Sequence, residues 1–194
     1  MKYTETSYQT KKKLANALEQ MLAIKPFNKV TVGDLIEICG LNRKTFYYHF
    51  TDIHALLTWK FSEDFAGMFT LYESNNGYAV LAHTVLDYAT ANEAILGNVL
   101  NTDGEGDFIR ALKECIGNLN RAVVSGFEVR KGARFEEDFR TMLIEFMTGA
   151  VLRVFKDWIE RRDYTHRDIT IEYMSHLFRT TLEGLLENGK YLEK

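Results

Sequence analysis

A chain of 194 residues has room for one large domain or two small ones, and its apolar fraction of 46% is ample for packed cores. One proline and scarce strand-like alternation leave an all-helical chain, and the net charge of −3 excludes a uniformly basic nucleic-acid binder. No apolar run approaches the ~20 residues that span a bilayer, and the N-terminal MKYTETSYQTKKK lacks the apolar core of a leader, so the expected compartment is the cytoplasm.

The charge is unevenly placed. Residues 1–60 hold nine Lys/Arg against five Asp/Glu, and residues 61–194 hold fifteen against twenty-two. A small basic end joined to a larger acidic body can meet phosphate locally while the whole chain stays acidic. Residues 1–5 are expected to fray. A helix is predicted from about Ser7 to Ile24, with Leu14, Ala15, Leu18, Met21 and Leu22 at helical spacing and Lys11, Lys12 and Lys13 near its start. That lysine run reads equally as a solvated face or as a phosphate clamp. Pro26 ends the helix by pushing Lys25 out of helical geometry, and Phe27 and Val30 lead onward as core residues.

Thr31 to Phe50, TVGDLIEICGLNRKTFYYHF, is the most informative stretch. Thr31 is an N-cap, and Asp34 brings negative charge into the first turn, where the helix dipole favours it. Leu35, Ile36 and Cys39 make an inward face, and Gly40 closes the helix with a left-handed turn. Asn42 caps a second helix, in which Phe46 and Phe50 face inward and Arg43, Lys44, Thr45, Tyr48 and His49 point elsewhere. Two capped helices around a three-residue glycine turn form the helix-turn-helix pattern, whose second helix enters the DNA major groove. Arg43 and Lys44, at the front of that helix, are the candidate base readers. Thr31 and Thr45 are hydroxyls suited to phosphate, although Thr31 also reads simply as a cap. Tyr48 is expected to face the DNA backbone, with Tyr47 half core and half phosphate donor.

Thr51 or Asp52 can cap a long helix reaching about Tyr72. Glu73 to Gly77 reads as a breaker. Helices follow over about Tyr78–Thr90, Asn92–Leu100 and Asp107–Val124. Ser125–Arg134 reads as a polar connection before two long helices, about Glu136–Arg162 and Arg167–Leu186. These last two are apolar on more than one face and so must bury both. One face packs within the chain, and the other suits a second copy, with Leu143, Val151, Phe155, Leu177, Leu182 and Leu185 as candidate interface residues. A small-molecule effector in the body would take an apolar lining. Phe65, Met68, Phe69, Phe108, Cys115, Phe146 and Met147 are the candidates, each equally readable as ordinary core.

No histidine pair falls at metal-ligand spacing, no glycine-rich phosphate loop occurs, and no nucleophile–base arrangement is readable, so neither metal, cofactor nor enzyme activity is expected. Cys39 and Cys115 read as two buried thiols rather than a disulfide.

Val30-Thr31, Cys39-Gly40-Leu41, Asn42, Thr45-Phe46-Tyr47, and His49-Phe50 together resemble the signature of TetR/AcrR-type transcription regulators. The match covers about a quarter of the chain. Asn42 to Phe50 followed by Thr51-Asp52-Ile53 is similar to regulators related to the dihydroxyacetone-kinase activator. So is Phe146-Met147-Thr148-Gly149 with Phe155-Lys156-Asp157-Trp158. The resemblance implies an all-α fold, with a three-helix DNA-binding domain over 1–52 and a helical ligand-binding and dimerisation domain over 53–194. It implies a homodimer on a near-palindromic operator, His49 donating to a phosphate, and repression released by a small molecule or partner. Activation, or a helical interaction protein with weak DNA binding, are the alternative readings. Two positions depart from the pattern. Lys44 stands where many members have glycine, and Ile53 where many have a phosphate-binding lysine.

Overall fold

The computed structural model describes the backbone of residues 2–75, 78–161 and 165–193, and their side chains except those of 2–4, 68–75 and 78–82. Among the described residues the secondary structure is helical: α1 (Lys2–Leu22), α2 (Val32–Cys39), α3 (Arg43–His49), α4 (Ile53–Asn75), α5 (Tyr78–Ala91), α6 (Glu93–Val99), α7 (Glu105–Lys131), α8 (Glu137–Arg161) and α9 (Arg167–Asn188). A 3-10 turn over Phe27–Lys29 follows Pro26. No described helix is long and apolar enough to cross a membrane.

The chain separates into two compact units. One comprises residues 1–66 and 88–112, the other residues 67–87 and 113–194. In the first, α1 packs against α2, α3 and α6. Leu14, Leu18 and Leu22 of α1, Phe27, Leu35 and Phe46 are fully buried there, as the apolar spacing requires. The Asn98 amide of α6 donates to the Leu22 carbonyl at the end of α1 (2.8 Å). The backbone at Gly104 runs so close to this core that a Cβ there would lie 2.7 Å from Phe27 and 2.9 Å from Leu57. Phe108 packs edge to face against Phe61, at a centroid distance of 4.9 Å, and against Phe65, while Phe61 and Phe65 stack. The buried Lys60 ammonium lies 2.6 Å from Asp64 and 3.3 Å from Glu19, and the Tyr88 hydroxyl donates to the same Asp64 carboxylate. Desolvation and that carboxylate hold the Tyr88 phenol protonated, far above its ordinary range.

The second unit is built on Val124, Phe135, Leu143, Ile144, Met147, Leu182 and Leu186. Helix α1 begins five residues before the predicted Ser7, and α4 runs into the predicted breaker as far as Asn75. The larger difference is at α7, which continues through Ser125–Lys131, where a polar connection was expected. The reason is tertiary. Val124 and Glu128 are buried, and the Glu128 carboxylate accepts from the Phe135 amide (3.0 Å) and from Arg140 Nε (3.2 Å). A buried, fully paired carboxylate rewards another helical turn in a way its sequence neighbours do not reveal. Helix α7 stops at Gly132, in the left-handed conformation with φ of 62°. The chain after α9 then pairs with this corner, Glu136 N to Tyr191 O (2.9 Å) and Glu193 N to Arg134 O (2.8 Å).

Candidate nucleic-acid interface

Helix α2 opens with a complete capping box. The Thr31 hydroxyl accepts from Asp34 N (3.2 Å), and Asp34 Oδ2 accepts from Thr31 N (2.7 Å). The Thr31 hydroxyl proton is itself directed at Asp34 Oδ2 (2.9 Å), and Lys25 Nζ lies 2.9 Å from the same oxygen. Lys25 first, and then the Thr31 donors, bring the Asp34 carboxyl down to about 2. Thr31 is thus fully engaged as a cap. Gly40, with φ of 60°, ends α2 in the left-handed region.

Three residues on, Asn42 Oδ1 accepts from Thr45 N (2.9 Å) and Thr45 Oγ1 (3.1 Å), which starts α3. Phe46 and Phe50 are buried, and their burial decides what the rest of α3 presents. Arg43 and Lys44 are exposed, and among the described residues neither has an ion-pair partner. Tyr48 is 81% exposed. Tyr47 divides as its position predicts, 53% exposed with its ring edge-on to Phe46 at 5.3 Å. The half-buried His49 imidazole lies edge-on to Tyr48, with Nδ1 3.4 Å from Ser7 Oγ of α1, which leaves Nε2 for an outside partner. Desolvation first, and the Lys11 charge second, hold His49 below its ordinary value, so it is neutral at pH 7.

The three lysines of α1 divide. Lys11 Nζ sits over the Phe50 and Trp59 rings, 5.6 and 5.8 Å from their centroids, and Lys12 Nζ lies over Tyr8 at 5.4 Å. Lys13 is exposed, and its carbonyl accepts from the buried Cys39 thiol at 3.3 Å. Ser7 and Trp59 were not among the residues expected at this site. They reach it through packing between α1, α3 and α4 that no local spacing signals. Ile53 begins α4 partly buried, and Asp52 supplies the cap by accepting from Ala55 N (2.8 Å).

Of the candidate effector residues, Phe65 and Phe108 are buried in the first unit, and Cys115 and Met147 in the second. Phe146 is 67% exposed, while the side chains of Met68 and Phe69 lie outside the described residues. Burial pushes the Cys115 thiol up to about 11. Of the residues expected to meet a second copy, Leu143, Val151, Phe155 and Leu182 are buried within a single chain, Leu185 is partly buried, and Leu177 is 62% exposed. Among the described residues no group of three or more His, Cys, Asp or Glu is placed to hold a metal ion.

Two helices, each started by a side-chain cap, with the second exposed and basic, have the geometry of a helix-turn-helix DNA-binding protein. Residues 81–184, more than half of the chain, match the family described as transcriptional regulator C-terminal region, of TetR type. The chain belongs to the TetR/AcrR family of transcriptional regulators, and it is not an enzyme. A curated relative, the HTH-type dhaKLM operon transcriptional activator DhaS of Lactococcus lactis subsp. lactis (strain IL1403), is 30% identical over 69 residues. That alignment spans 36% of this chain and 35% of the relative, and it supports the dihydroxyacetone-kinase-regulator subgroup. Among solved structures, a dihydroxyacetone kinase operon activator DhaS is similar with a TM-score of 0.65 and 19% identity, over 90% of this chain and 96% of that one. A fatty acid degradation regulator FadR from Bacillus halodurans gives 0.57 and 16%, over 86% and 96%. A TetR regulator from Streptococcus agalactiae 2603V gives 0.53 and 18%, over 94% and 98%. These likenesses show the all-helical fold.

Proposed function

We propose that the protein is a cytoplasmic, homodimeric, sequence-specific DNA-binding regulator, with residues 1–52 reading DNA and residues 53–194 carrying the regulatory and dimerising functions. The observation that carries the reading is the exposed, unpaired pair Arg43 and Lys44 at the front of a twice-capped helix-turn-helix. In this reading Arg43 and Lys44 meet base edges, while Tyr47, Tyr48 and His49 Nε2 donate to phosphates. Asn42 and Thr45 set the start of α3, and Thr31 sets the angle of α2. Two copies place their α3 helices in successive major grooves of a near-palindromic operator, about 34–36 Å apart.

Dimerisation uses what the protomer leaves uncovered. Met142 and Phe146 on α8, and Tyr173 and Leu177 on α9, are exposed apolar side chains at helical spacing. This stripe, rather than the buried Leu143, Val151, Phe155 and Leu182, is the surface open to a second copy. A signal bound by the body favours one arrangement of the two recognition helices and thereby changes operator affinity.

Repression by occupying a promoter is the reading drawn from the family's commoner mode. One observation favours activation instead. The Lactococcus lactis relative and a similar solved structure are both described as operon activators. Recovering and sequencing genomic fragments bound by the purified protein tests DNA recognition, with a shared near-palindromic site as the expected result. Transcription beside that site after loss of the protein decides the sign, a rise meaning repression and a fall activation. Fragments sharing no site would overturn the proposal.

A further inference from the structure

A groove of about 580 Å³ lies between α5 and α9 in the second unit, within the range of small-molecule sites. His83 of α5 lines one wall, and Asp168, Glu172, Ser175, His176 and Arg179 of α9 line the other. Three features set it apart from the surrounding surface.

First, the Ser175 hydroxyl oxygen is buried with no hydrogen-bond partner among the described residues. A mid-helix serine ordinarily bonds the carbonyl four residues back, and a buried hydroxyl without a partner is uncommon. Second, two opposite charges on the groove wall, Glu172 and Arg179, stand outside the ion pairs of the described residues. Several charges in this unit pair with one another, as Arg167 does with Asp87 (3.0 Å), Arg140 with Glu128 (3.2 Å) and Arg153 with Asp157 (2.9 Å). Glu172 and Arg179 have no such partner among the described residues, whereas the exposed Asp168 pairs with the half-buried Arg167 (3.1 Å) and lies 3.6 Å from His83. Third, the charges are ordered along the helix. Glu172, His176 and Arg179 stand at i, i+4 and i+7, which puts the carboxylate and the guanidinium on one face about 10 Å apart along the axis. The apolar Ile171 and Tyr173 also line the groove.

We propose that this groove binds a small linear zwitterion, with its carboxylate on Arg179, its ammonium on Glu172 and Asp168, and a short aliphatic spacer between them. The planar guanidinium fork matches a carboxylate with two parallel bonds, and the buried Ser175 hydroxyl supplies a further polar contact midway. The site deepens the signal-responsive reading above and rests on it for its meaning. Tyr173 borders both the groove and the exposed stripe, while Leu177 is turned about 100° around α9 from His176.

The test titrates 5-aminovalerate and 6-aminohexanoate into the full-length protein without DNA, following the thermal midpoint and amide shifts by NMR. Valerate and pentylamine, each carrying one of the two charges, are the controls. Saturable binding of the zwitterions, at least tenfold tighter than either control and with shifts centred on His83 and Ser175, is the expected result. R179A and E172A should each weaken it at least tenfold. R153A, the same loss of charge on α8, should leave it unchanged. No saturable binding, or binding indifferent to R179A and E172A, would overturn the site. A separate operator titration, with and without 5-aminovalerate, reads the regulatory link. If the groove binds while the operator titration is unmoved, the signal-responsive reading fails and the site stands.

Discussion

Arg43 and Lys44 hold charges that nothing in the described chain neutralises, and His49 holds a proton-accepting nitrogen in the opposite condition, pushed toward neutrality by burial and Lys11. The difference has a consequence for pH. A phosphate beside His49 Nε2 stabilises the imidazolium, so the complex binds more protons than the free protein below the ordinary histidine value of 6.5. Operator affinity is therefore expected to rise as pH falls from about 7 to about 5.5, and H49Q should flatten the dependence. Anisotropy titrations across that range check it. At this scale much was legible. Thr31, Gly40 and Asn42 occupy the conformations their chemistry predicts, because caps and left-handed turns depend on near neighbours. Ser7 and Lys11 were not legible as neighbours of His49, since α1 reaches α3 across 42 residues of sequence.

At the scale of the element, α2 depends on one capping box. Asp34, held at about 2, contributes stability that is fully present above the ordinary carboxyl value near 3.8 and is lost as pH falls toward 2. D34N should melt below wild type at pH 7, with the gap closing as the pH of the melts approaches 2. Gly104 is the tighter constraint. A methyl group there meets Phe27 and Leu57, which are 1% and 0% exposed and have nowhere to move. G104A should cost about 1–3 kcal/mol, lowering the midpoint by roughly 2–12 °C in a chain of this size. Thermal denaturation of the purified variant measures it. Helix existence was legible from periodicity throughout the described chain, and helix ends were less so. Ser125–Lys131 looked like a connection because its polarity is local, while the pairing of Glu128 with Phe135 and Arg140 is not.

For the whole molecule, apolar residues on several faces of α8 and α9 announced two buried surfaces without saying which residue served which. Leu143 and Leu182 went to the protomer core, and Phe146 and Leu177 stayed outside. Helical spacing alone cannot separate two apolar stripes until one of them is covered. F146E with L177E should therefore yield folded monomers, seen as an unchanged helical spectrum with halved mass in light scattering. A dimer persisting in that variant would place the interface elsewhere. In the proposed regulator, α3 reads sequence. A salt-varied anisotropy titration of the recovered operator and a scrambled duplex tests it most directly, with wild type beside R43A and K44A. Wild type should show an operator preference that falls about 10–100-fold in at least one variant, on top of a salt-dependent contribution common to both duplexes. Equal affinity for operator and scrambled DNA in wild type, or a preference untouched by both substitutions, would contradict it.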